Sequence, residues 1–245
     1  MTKTALVTGA SSGIGTAVAL KLADSGYSVM AAGRDADRTM ALASRRDAIR
    51  TWTGDLATSE SCTDLMNHCI EQFGRLDVLV NNAGIYKAAN AEQTSDELWS
   101  QTISVNLDAP FYLSREAIPH LRKTHGAILN IASDWGLVGG KQAVAYCASK
   151  GGIVLMTKAM ALDHAHEKIR INAICPGDVE TPMLYSEGAA RGLDRTAAMQ
   201  EADAASPTGR VTTADEVAAL VLFLASDDAA QITGAAIPID GGNSA

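Results

Sequence analysis

Several features of membrane, secreted and nucleic-acid-binding proteins are missing from this 245-residue sequence. No apolar run approaches the roughly 18 residues that predict a transmembrane helix. The first ten residues, MTKTALVTGA, carry no basic leader, so no signal peptide is predicted. The formal net charge is −8 and no basic stripe is present, which argues against a nucleic-acid surface. We therefore expect a small-molecule protein with neither membrane nor nucleic-acid partners.

The sequence also lacks the patterns of a disulfide or metal framework. Its four cysteines, at positions 62, 69, 147 and 175, form no CxxC pair, and three lie within apolar patterns. They are interpreted as reduced core thiols of a cytoplasmic protein. His164 and His166 are two residues apart and would lie on opposite sides of a helix, so no metal site is predicted.

What the sequence does contain is an alternation of short β-branched runs with helical patterns. Strands are predicted at 4–8, 27–33, 49–55, 76–84, 126–133, 169–177 and 235–240, and helices at 15–26, 59–74, 95–123, 142–166 and 213–225. Such alternation with apolar strands predicts an α/β fold, with a parallel sheet covered by helices on both faces. No repeat or linker interrupts it, so residues 1–245 are predicted to form a single domain. The polar stretch 177–209 shows only weak helical patches.

A glycine-rich turn joins the first predicted strand to the first helix. In TALVTGASSGIGTAV, Gly9, Gly13 and Gly15 would let the backbone approach a diphosphate at the helix N-terminus, where free N–H groups favour anions. The spacing is G-x-x-x-G-x-G, and the GK[ST] ending of an ATPase P-loop is absent. A dinucleotide site is therefore favoured over an ATP site.

Two further strand ends carry residues of interest. NNAG, residues 81–84, would leave room for a ligand at the carboxyl edge of the sheet, although a turn in which the Asn side chains satisfy local backbone would have the same sequence. Asp55, followed by Leu56, comes after the third strand. Its carboxylate would accept from an adenine amino group or cap the next helix, and the sequence leaves both open.

With these motifs in place, the sequence resembles the short-chain dehydrogenase/reductase family. TGASSGIG, NNAG, Asn106 in SVNL, Ser133, YCASK, PGDVETPM and ITGAAIPIDGG follow the family's motifs in order and span nearly the whole chain. The resemblance implies a doubly wound, seven-stranded Rossmann-type sheet, a nicotinamide cofactor and a homotetramer. It also implies that Asn106, Ser133, Tyr146 and Lys150 form the catalytic set.

The residue types suit that chemistry. Tyr146 and Lys150 are four apart and would share one helix face, where an ammonium is expected to lower the phenol pKa toward the working pH of an acid/base. The Ser133 hydroxyl, at a strand end, would orient the reacting oxygen. The resemblance adds that Lys150 bonds the nicotinamide ribose and that Asn106 holds a water linking Lys150 to solvent.

The remaining candidates surround this set. Trp135 would wall the substrate pocket or simply pack in the core. A substrate lid is predicted around 181–209, with Met183, Leu184 and Tyr185 facing inward. The predicted cofactor-binding residues are Gly9, Ser11, Ser12, Gly13, Ile14, Gly15, Arg34, Asp55, Leu56, Asn82, Ala83, Gly84, Tyr146, Lys150, Pro176, Gly177, Val179 and Thr181.

The end of the second strand bears on which cofactor is used. Dinucleotide folds that select NAD place an acidic residue there, whereas this chain has Gly33 followed by Arg34, which can clamp a 2′-phosphate. Ser11 or Ser12 would add a hydroxyl, while Asp35 places a carboxylate beside Arg34. NADP is therefore predicted, with NAD as the alternative.

The leading function is hydride transfer between a nicotinamide cofactor and a secondary alcohol or ketone, with Tyr146 as general acid/base. An NAD-dependent catabolic dehydrogenase of a sugar, polyol or cyclic diol is the alternative. A dinucleotide-binding regulator without turnover would be expected to lose Tyr146 or Lys150, and both are present. An enoyl reductase or sugar epimerase would want a different tyrosine spacing or loop pattern.

Overall fold

The fold is built around a seven-stranded, all-parallel sheet, seen in a computed structural model that describes residues 2–245. The strand order is β3-β2-β1-β4-β5-β6-β7. The strands are β1 (Thr4–Thr8), β2 (Ser28–Gly33), β3 (Ile49–Thr53), β4 (Val78–Asn81), β5 (Ala127–Ile131), β6 (Arg170–Pro176) and β7 (Ala236–Ile239). The order reverses between β1 and β4, which opens a crevice at the carboxyl ends of these strands.

Nine α-helices connect and cover the strands in the described part of the chain. They are α1 (Gly13–Asp24), α2 (Ala36–Ala43), α3 (Ser59–Phe73), α4 (Asp96–Ile103), α5 (Ala109–Thr124), α6 (Val144–His164), α7 (Pro182–Ala190), α8 (Arg195–Ala205) and α9 (Ala214–Ala225). The predicted doubly wound, seven-stranded fold is confirmed. No helix in residues 2–245 is both long and apolar enough to cross a membrane.

The two faces of the sheet have separate cores because successive side chains of a strand point to opposite faces. Val7, Val80 and Leu129 pack with α1 and α9 on one face. Leu6 and Leu79, their neighbours along the strands, pack with α3 and α5 on the other. Every residue of β1, β4 and β5 is buried, which holds their carboxyl ends in fixed positions beneath the crevice.

Two segments differ from the sequence-based expectations. The single helix predicted over 95–123 is two helices, α4 and α5, joined by a π-helical turn at Ser104–Asp108. An extra residue in one turn leaves the apolar periodicity nearly unchanged, so the pattern does not reveal it. The weakly patterned stretch 177–209 contains α7 and α8, which pack on each other through small residues such as Gly188 and Ala198.

Candidate active site

The glycine turn between β1 and α1 has the geometry of an anion-binding loop. Gly9 and Gly13 have φ of +64° and +53°, a region that L side chains rarely adopt. The Ser12 side chain makes no capping hydrogen bond to α1, and the first turn of the helix has no acidic residue. The first N–H groups of α1 therefore remain available to a diphosphate.

Asn82 fastens this turn to the neighbouring strand. Its Nδ2 donates to the backbone oxygens of Thr8 at 2.9 Å and Gly9 at 3.2 Å. A Cβ on Gly15 would lie 2.2 Å from the Gly9 oxygen and 2.5 Å from Asn82 Nδ2, so only glycine fits there. The Asn82 side chain thus bonds the backbone of the glycine turn, which is distant in sequence, and does not bond the backbone of its own turn.

Two cavities open along the carboxyl edge of the sheet. The smaller one, about 80 Å³, is lined by Gly33 and by six of the predicted cofactor-binding residues: Gly9, Arg34, Asp55, Leu56, Ala83 and Gly84. Asp55 does not cap α3, because Thr58 does so by accepting from Ser61 N. Asp55 Oδ1 instead accepts from Ala57 N at 3.1 Å, so the carboxylate is fixed at the wall of the cavity.

Arg34 is exposed at the rim of this smaller cavity. The carboxylate of Asp35 caps α2 by accepting from Arg38 N, and its other oxygen lies 3.2 Å from Arg38 Nε. Within residues 2–245 no ion pair involves Arg34. The carboxylate that follows Arg34 in sequence is therefore engaged with Arg38 and does not pair with the Arg34 guanidinium. Ser11 lines neither cavity but lies against the position where a Gly33 Cβ would be.

The larger cavity, about 830 Å³, brings most of the predicted site residues together. The predicted residues that line it are Gly9, Ser12, Gly13, Ile14, Asn82, Ala83, Gly84, Ser133, Trp135, Tyr146, Lys150, Pro176, Gly177, Val179, Thr181, Met183 and Leu184. Thr181 reaches over the glycine turn, its Cγ2 lying 3.1 Å from where a Gly13 Cβ would be. The cavity therefore runs from the diphosphate loop to the Tyr146 side chain.

Tyr146 and Lys150 lie on one face of α6, as their spacing predicts. Lys150 is buried, and its Nζ donates to Ile131 O at 2.8 Å and lies 5.6 Å from the Tyr146 ring centroid. Burial lowers the pKa of Lys150 to about 8. Burial also raises the pKa of Tyr146, outweighing a hydrogen bond with Ser133 that lowers it, while the charge of Asp134 raises it further. The predicted lowering of the Tyr146 pKa by Lys150 is therefore not found in the chain alone, because the effect of burial is larger.

Ser133 lies at the end of β5, within reach of Tyr146. Its hydroxyl is buried and donates to Asp134 Oδ1 at 2.8 Å, while it accepts from Trp135 N at 3.2 Å. Ser133 is thus held in place by Asp134 and Trp135, which line the same cavity.

Asn106 is in the π-helical turn and is buried, not solvated as a surface helix residue would be. Its Oδ1 accepts from Ile85 N at 2.8 Å, and its Nδ2 donates to Ile85 O at 2.9 Å and to Ser149 Oγ at 3.1 Å. The side chain joins the loop after β4 to α6. Since the side-chain amide of Asn106 is already bonded to Ile85 and Ser149, the role of holding a water that the resemblance implies would fall to other atoms of this turn.

An aromatic cluster forms one wall of the larger cavity. Trp135 packs edge-to-face on Tyr146 at 6.2 Å between ring centroids, so it walls the cavity. Tyr86 packs edge-to-face on both, at 5.1 Å from Tyr146 and 5.7 Å from Trp135. Sequence reasoning missed Tyr86, which follows NNAG by two residues in a loop without periodicity.

Acidic side chains also line this cavity. Asp178 and Glu187 line the cavity, and burial raises the pKa of each carboxyl. Met183 and Leu184 also line it, as predicted. Tyr185 does not: it points to the other side of α7, where its hydroxyl donates to Glu180 and Arg195 stacks 3.9 Å from its ring centroid. One residue along a helix rotates a side chain by about 100°, so three consecutive residues cannot all face inward.

Cysteines and histidines take no part in the cavity. All four cysteines are free, and burial raises the pKa of Cys62 and Cys69 to about 12. Among residues 2–245, no group of three or more His, Cys, Asp or Glu side chains is placed to hold a metal ion.

Residues 9–244 match the family model described as enoyl-(acyl carrier protein) reductase. This chain belongs to the short-chain dehydrogenase/reductase family. It is 38% identical to D-β-hydroxybutyrate dehydrogenase of Rhizobium meliloti (strain 1021), over 99% of this chain and 98% of that protein. It is equally similar, at 38%, to meso-2,3-butanediol dehydrogenase of Serratia marcescens, over 99% of this chain and 95% of that protein.

Solved structures of this family agree with the fold. An actinorhodin polyketide ketoreductase solved with NADPH superposes with a TM-score of 0.95, at 33% identity over 99% of this chain and 97% of that one. A 3-ketoacyl-(acyl-carrier-protein) reductase from Brucella melitensis, complexed with NADH, gives a TM-score of 0.91 at 33% identity, over 99% and 98%. The predicted class, a nicotinamide-dependent oxidoreductase acting between a secondary alcohol and a ketone, is confirmed.

Proposed function

We propose that Tyr146 is the general acid/base of this oxidoreductase and that Ser133 and Lys150 complete its catalytic set. The observation that carries the proposal is their convergence on one cavity, together with the diphosphate loop. Asn106 supports the set by joining the loop after β4 to α6. The same convergence argues against a regulator without turnover, which needs the loop but not the three polar groups.

In alcohol oxidation, the Tyr146 phenolate takes the proton from the substrate hydroxyl while Ser133 holds that oxygen. When bound, the nicotinamide ring supplies the hydride acceptor and, in its oxidised form, a positive charge that favours the phenolate. Lys150 donates from Nζ and is suited to hold ribose hydroxyls at the same time as it faces Tyr146. In ketone reduction the neutral phenol returns the proton.

NADP is the proposed cofactor. Gly33 leaves the end of β2 without a carboxylate, and the exposed Arg34 guanidinium has no ion-pair partner in the described chain, because Asp35 is paired with Arg38. A charge-assisted contact contributes roughly 1.5–3 kcal/mol. Arg34→Ala is therefore expected to lower kcat/KM for NADP by about 10- to 150-fold and to spare NAD.

The control for this variant is Arg50→Ala, since the Arg50 guanidinium bonds only backbone oxygens near its own position, those of Asp47 and Ile49. It should leave the ratio of kcat/KM for the two cofactors unchanged. A wild-type kcat/KM that is higher for NAD than for NADP would overturn the NADP assignment and favour the NAD-dependent alternative.

The substrate proposed is an uncharged hydroxy compound, such as a diol, polyol or sugar. Asp178 and Glu187 line the cavity, and no side-chain ion pair in residues 2–245 neutralises either of them. A substrate carboxylate would be repelled by both, and Lys141, Lys150 and Arg191 offset only part of this repulsion. This favours relatives of the butanediol type over those of the hydroxybutyrate type as a guide to this chain.

The proposal also covers the domain organisation of the chain and its assembly. Residues 1–245 are taken as one domain, with 181–209 as a substrate lid whose inner face includes Met183 and Leu184. The site is proposed to act in a cytoplasmic homotetramer.

A panel of alcohols and carbonyls, read by NAD(P)H absorbance, tests the function. Turnover is expected with neutral diols, polyols or their ketones, and little with β-hydroxy acids. Reduction of a crotonyl thioester would instead support an enoyl reductase. Absence of turnover with every secondary alcohol and ketone, in a folded protein that binds the cofactor, would contradict the proposed function.

A further inference from the structure

Three aromatic rings form a corner of the larger cavity. Tyr86, Trp135 and Tyr146 all line it, and each ring plane is steeply inclined to the other two, at 73°, 67° and 85°. Their centroids are between 5.1 and 6.2 Å apart. Edge-to-face contact is a favoured geometry for aromatic pairs, so the three rings of this aromatic corner hold one another in place.

The loop that carries Tyr86 is fastened to the start of α6. The Tyr86 hydroxyl makes a long contact of 3.4 Å with Gln142 O, to which Ala89 N also donates at 2.8 Å. The preceding residue, Ile85, is bonded through its backbone N and O to Asn106. Since the Tyr86 hydroxyl is directed to a backbone oxygen, the contribution of this residue to the cavity is its ring.

Trp135 is fixed next to the serine of the proposed catalytic set. A Cβ on Gly140 would lie 2.4 Å from Trp135 Cδ2, so the backbone of Gly140 packs directly on the indole. The backbone N–H of Trp135 donates to Ser133 Oγ at 3.2 Å. A substrate whose reacting oxygen lies between Ser133 and Tyr146 must therefore lie against the aromatic corner.

Carboxylates lie within electrostatic reach of the same corner. Burial raises the pKa of Tyr86 to about 12, and the charges of Glu187 and, more weakly, Asp178 add to this rise. Both carboxylates line the cavity, while Arg191 pairs with Glu201. An ionised carboxylate only accepts hydrogen bonds, so a substrate beside these side chains is better bound if it carries hydroxyl groups.

A six-membered ring with hydroxyl groups suits both features. The face of an aromatic ring is negative, so it attracts C–H groups that neighbouring oxygens make slightly positive. A six-membered ring presents several such C–H groups on one side, while its hydroxyl groups remain free to reach the carboxylates. Its shape is also fixed before binding, so it loses less conformational freedom than an open chain does.

We infer that Tyr86 and Trp135 select a hydroxylated six-membered ring, as in a cyclic polyol or a pyranose, over an open-chain diol. The inference rests on the proposed function and narrows its substrate class. It assigns a specificity-determining role to two residues outside the proposed catalytic set.

Two vicinal secondary diols of six carbons test this selection: racemic trans-cyclohexanediol, and racemic hexanediol with its hydroxyls on the two central carbons. In the wild type, kcat/KM is expected to be roughly tenfold higher for the cyclic diol. Tyr86→Leu should bring the ratio of the two values close to one, whereas Tyr86→Phe should keep it because the ring remains. A changed rate of proton transfer at Tyr146 affects both diols and cancels in the ratio.

Phe111→Leu is the matched control, an aromatic-to-aliphatic change at an exposed residue of α5 that lines neither cavity, and it should leave the ratio unchanged. Trp135→Leu should lower the ratio and replaces Tyr86→Leu if that variant does not fold. Equal kcat/KM values for the two diols in the wild type, or a ratio that Tyr86→Leu leaves unchanged, would overturn the inference. A kcat/KM for cyclohexanol above that for the cyclic diol would overturn the need for further hydroxyl groups.

Calorimetric titration repeats the comparison without turnover. The two diols are titrated into wild-type enzyme loaded with reduced cofactor, because an alcohol and a reduced nicotinamide do not react with each other. The Kd of the cyclic diol is expected to be roughly tenfold lower. If the wild type oxidises no alcohol, the proposed function fails, and the titration alone decides the inference: tighter binding of the cyclic diol supports it, and equal binding overturns it.

Discussion

The side chains of Lys150 and Tyr146 are both buried in surroundings that favour their neutral forms. Lys150 has a pKa lowered to about 8, and the pKa of Tyr146 is raised, in both cases first because burial penalises the charged form. The four-residue spacing predicts that the two side chains share a face, but it carries no information on how dry that face is. The balance between burial and charge therefore appears only in the folded chain.

The buried lysine makes a testable contribution to stability. Between about pH 8 and its ordinary value near 10.5, the unfolded chain binds the Lys150 proton and the folded chain does not, so stability rises with pH across this window. Lys150→Met abolishes that contribution. The free energy of unfolding of wild type relative to this variant should grow by up to about 3 kcal/mol between pH 7 and pH ~10.5.

Urea unfolding at both pH values measures the difference. Lys158→Met, on the exposed side of the same helix, serves as the control and should show no comparable pH dependence. If the difference in unfolding free energy between wild type and Lys150→Met does not change with pH, burial does not lower the pKa of Lys150.

Site residues that lie in a local sequence motif could be predicted, whereas residues that reach the site through long-range contacts could not. Ser133, Tyr146 and Lys150 lie in local patterns, and the structure brings them to one cavity. The contact of Asn243 with Asp134 depends on how β5 and the turn after β7 meet, and no local pattern encodes it.

At the scale of elements, the turn between β1 and α1 is the most constrained segment of the site. Gly15→Ala would place a Cβ 2.2 Å from the Gly9 oxygen, a backbone atom that cannot move without displacing the anion-binding loop. Overpacking of this kind costs about 1–3 kcal/mol. We expect loss of stability on that scale and at least a tenfold weaker cofactor affinity.

Gly151→Ala in α6 is the matched control, since its added Cβ would meet only the Gly136 oxygen at 3.7 Å. Alanine in a helix interior should leave stability unchanged or raise it by up to about 1 kcal/mol. Fluorescence titration of cofactor and thermal unfolding compare the two. Unchanged cofactor affinity in Gly15→Ala would contradict the close packing of α1 on the glycine turn.

Elements with clear periodicity were predicted within a few residues, and irregular ones were not. α3 ends at Gly74, as expected, in a left-handed conformation with φ of +73°. The π-helical turn that carries Asn106 was missed because its flanking helices preserve the apolar pattern. α7 and α8 were predicted only as weak helical patches because they pack through alanine and glycine, which give little hydrophobic contrast.

At the scale of the whole molecule, the alternation of strands and helices was sufficient to predict the sheet and its two layers. It says nothing about assembly. The surface of α6 carries Leu155 and Leu162, which are 68% and 82% exposed and seven residues apart on one helix face. Such side chains on one face suit packing against a second copy of the chain.

The predicted homotetramer should have a mass of about 102 kDa, four chains of 25.5 kDa, by light scattering. A Leu155→Glu and Leu162→Glu double variant should shift the mass toward smaller species, because the charges would be buried in the interface. Met40→Glu, at an exposed apolar residue of α2, is the control and should keep the wild-type mass. A wild-type monomer near 25.5 kDa would refute the assembly.

The central claim is that Tyr146 transfers the proton that accompanies hydride transfer. Tyr146→Phe keeps the ring and the helix but removes the hydroxyl, so kcat should fall by about 10²- to 10⁴-fold while the cofactor Kd stays nearly unchanged. Tyr112→Phe, outside the cavity, should behave as wild type. Both are measured by NAD(P)H absorbance with the best alcohol of the panel. A Tyr146→Phe variant that keeps more than about a tenth of wild-type kcat would contradict the claim.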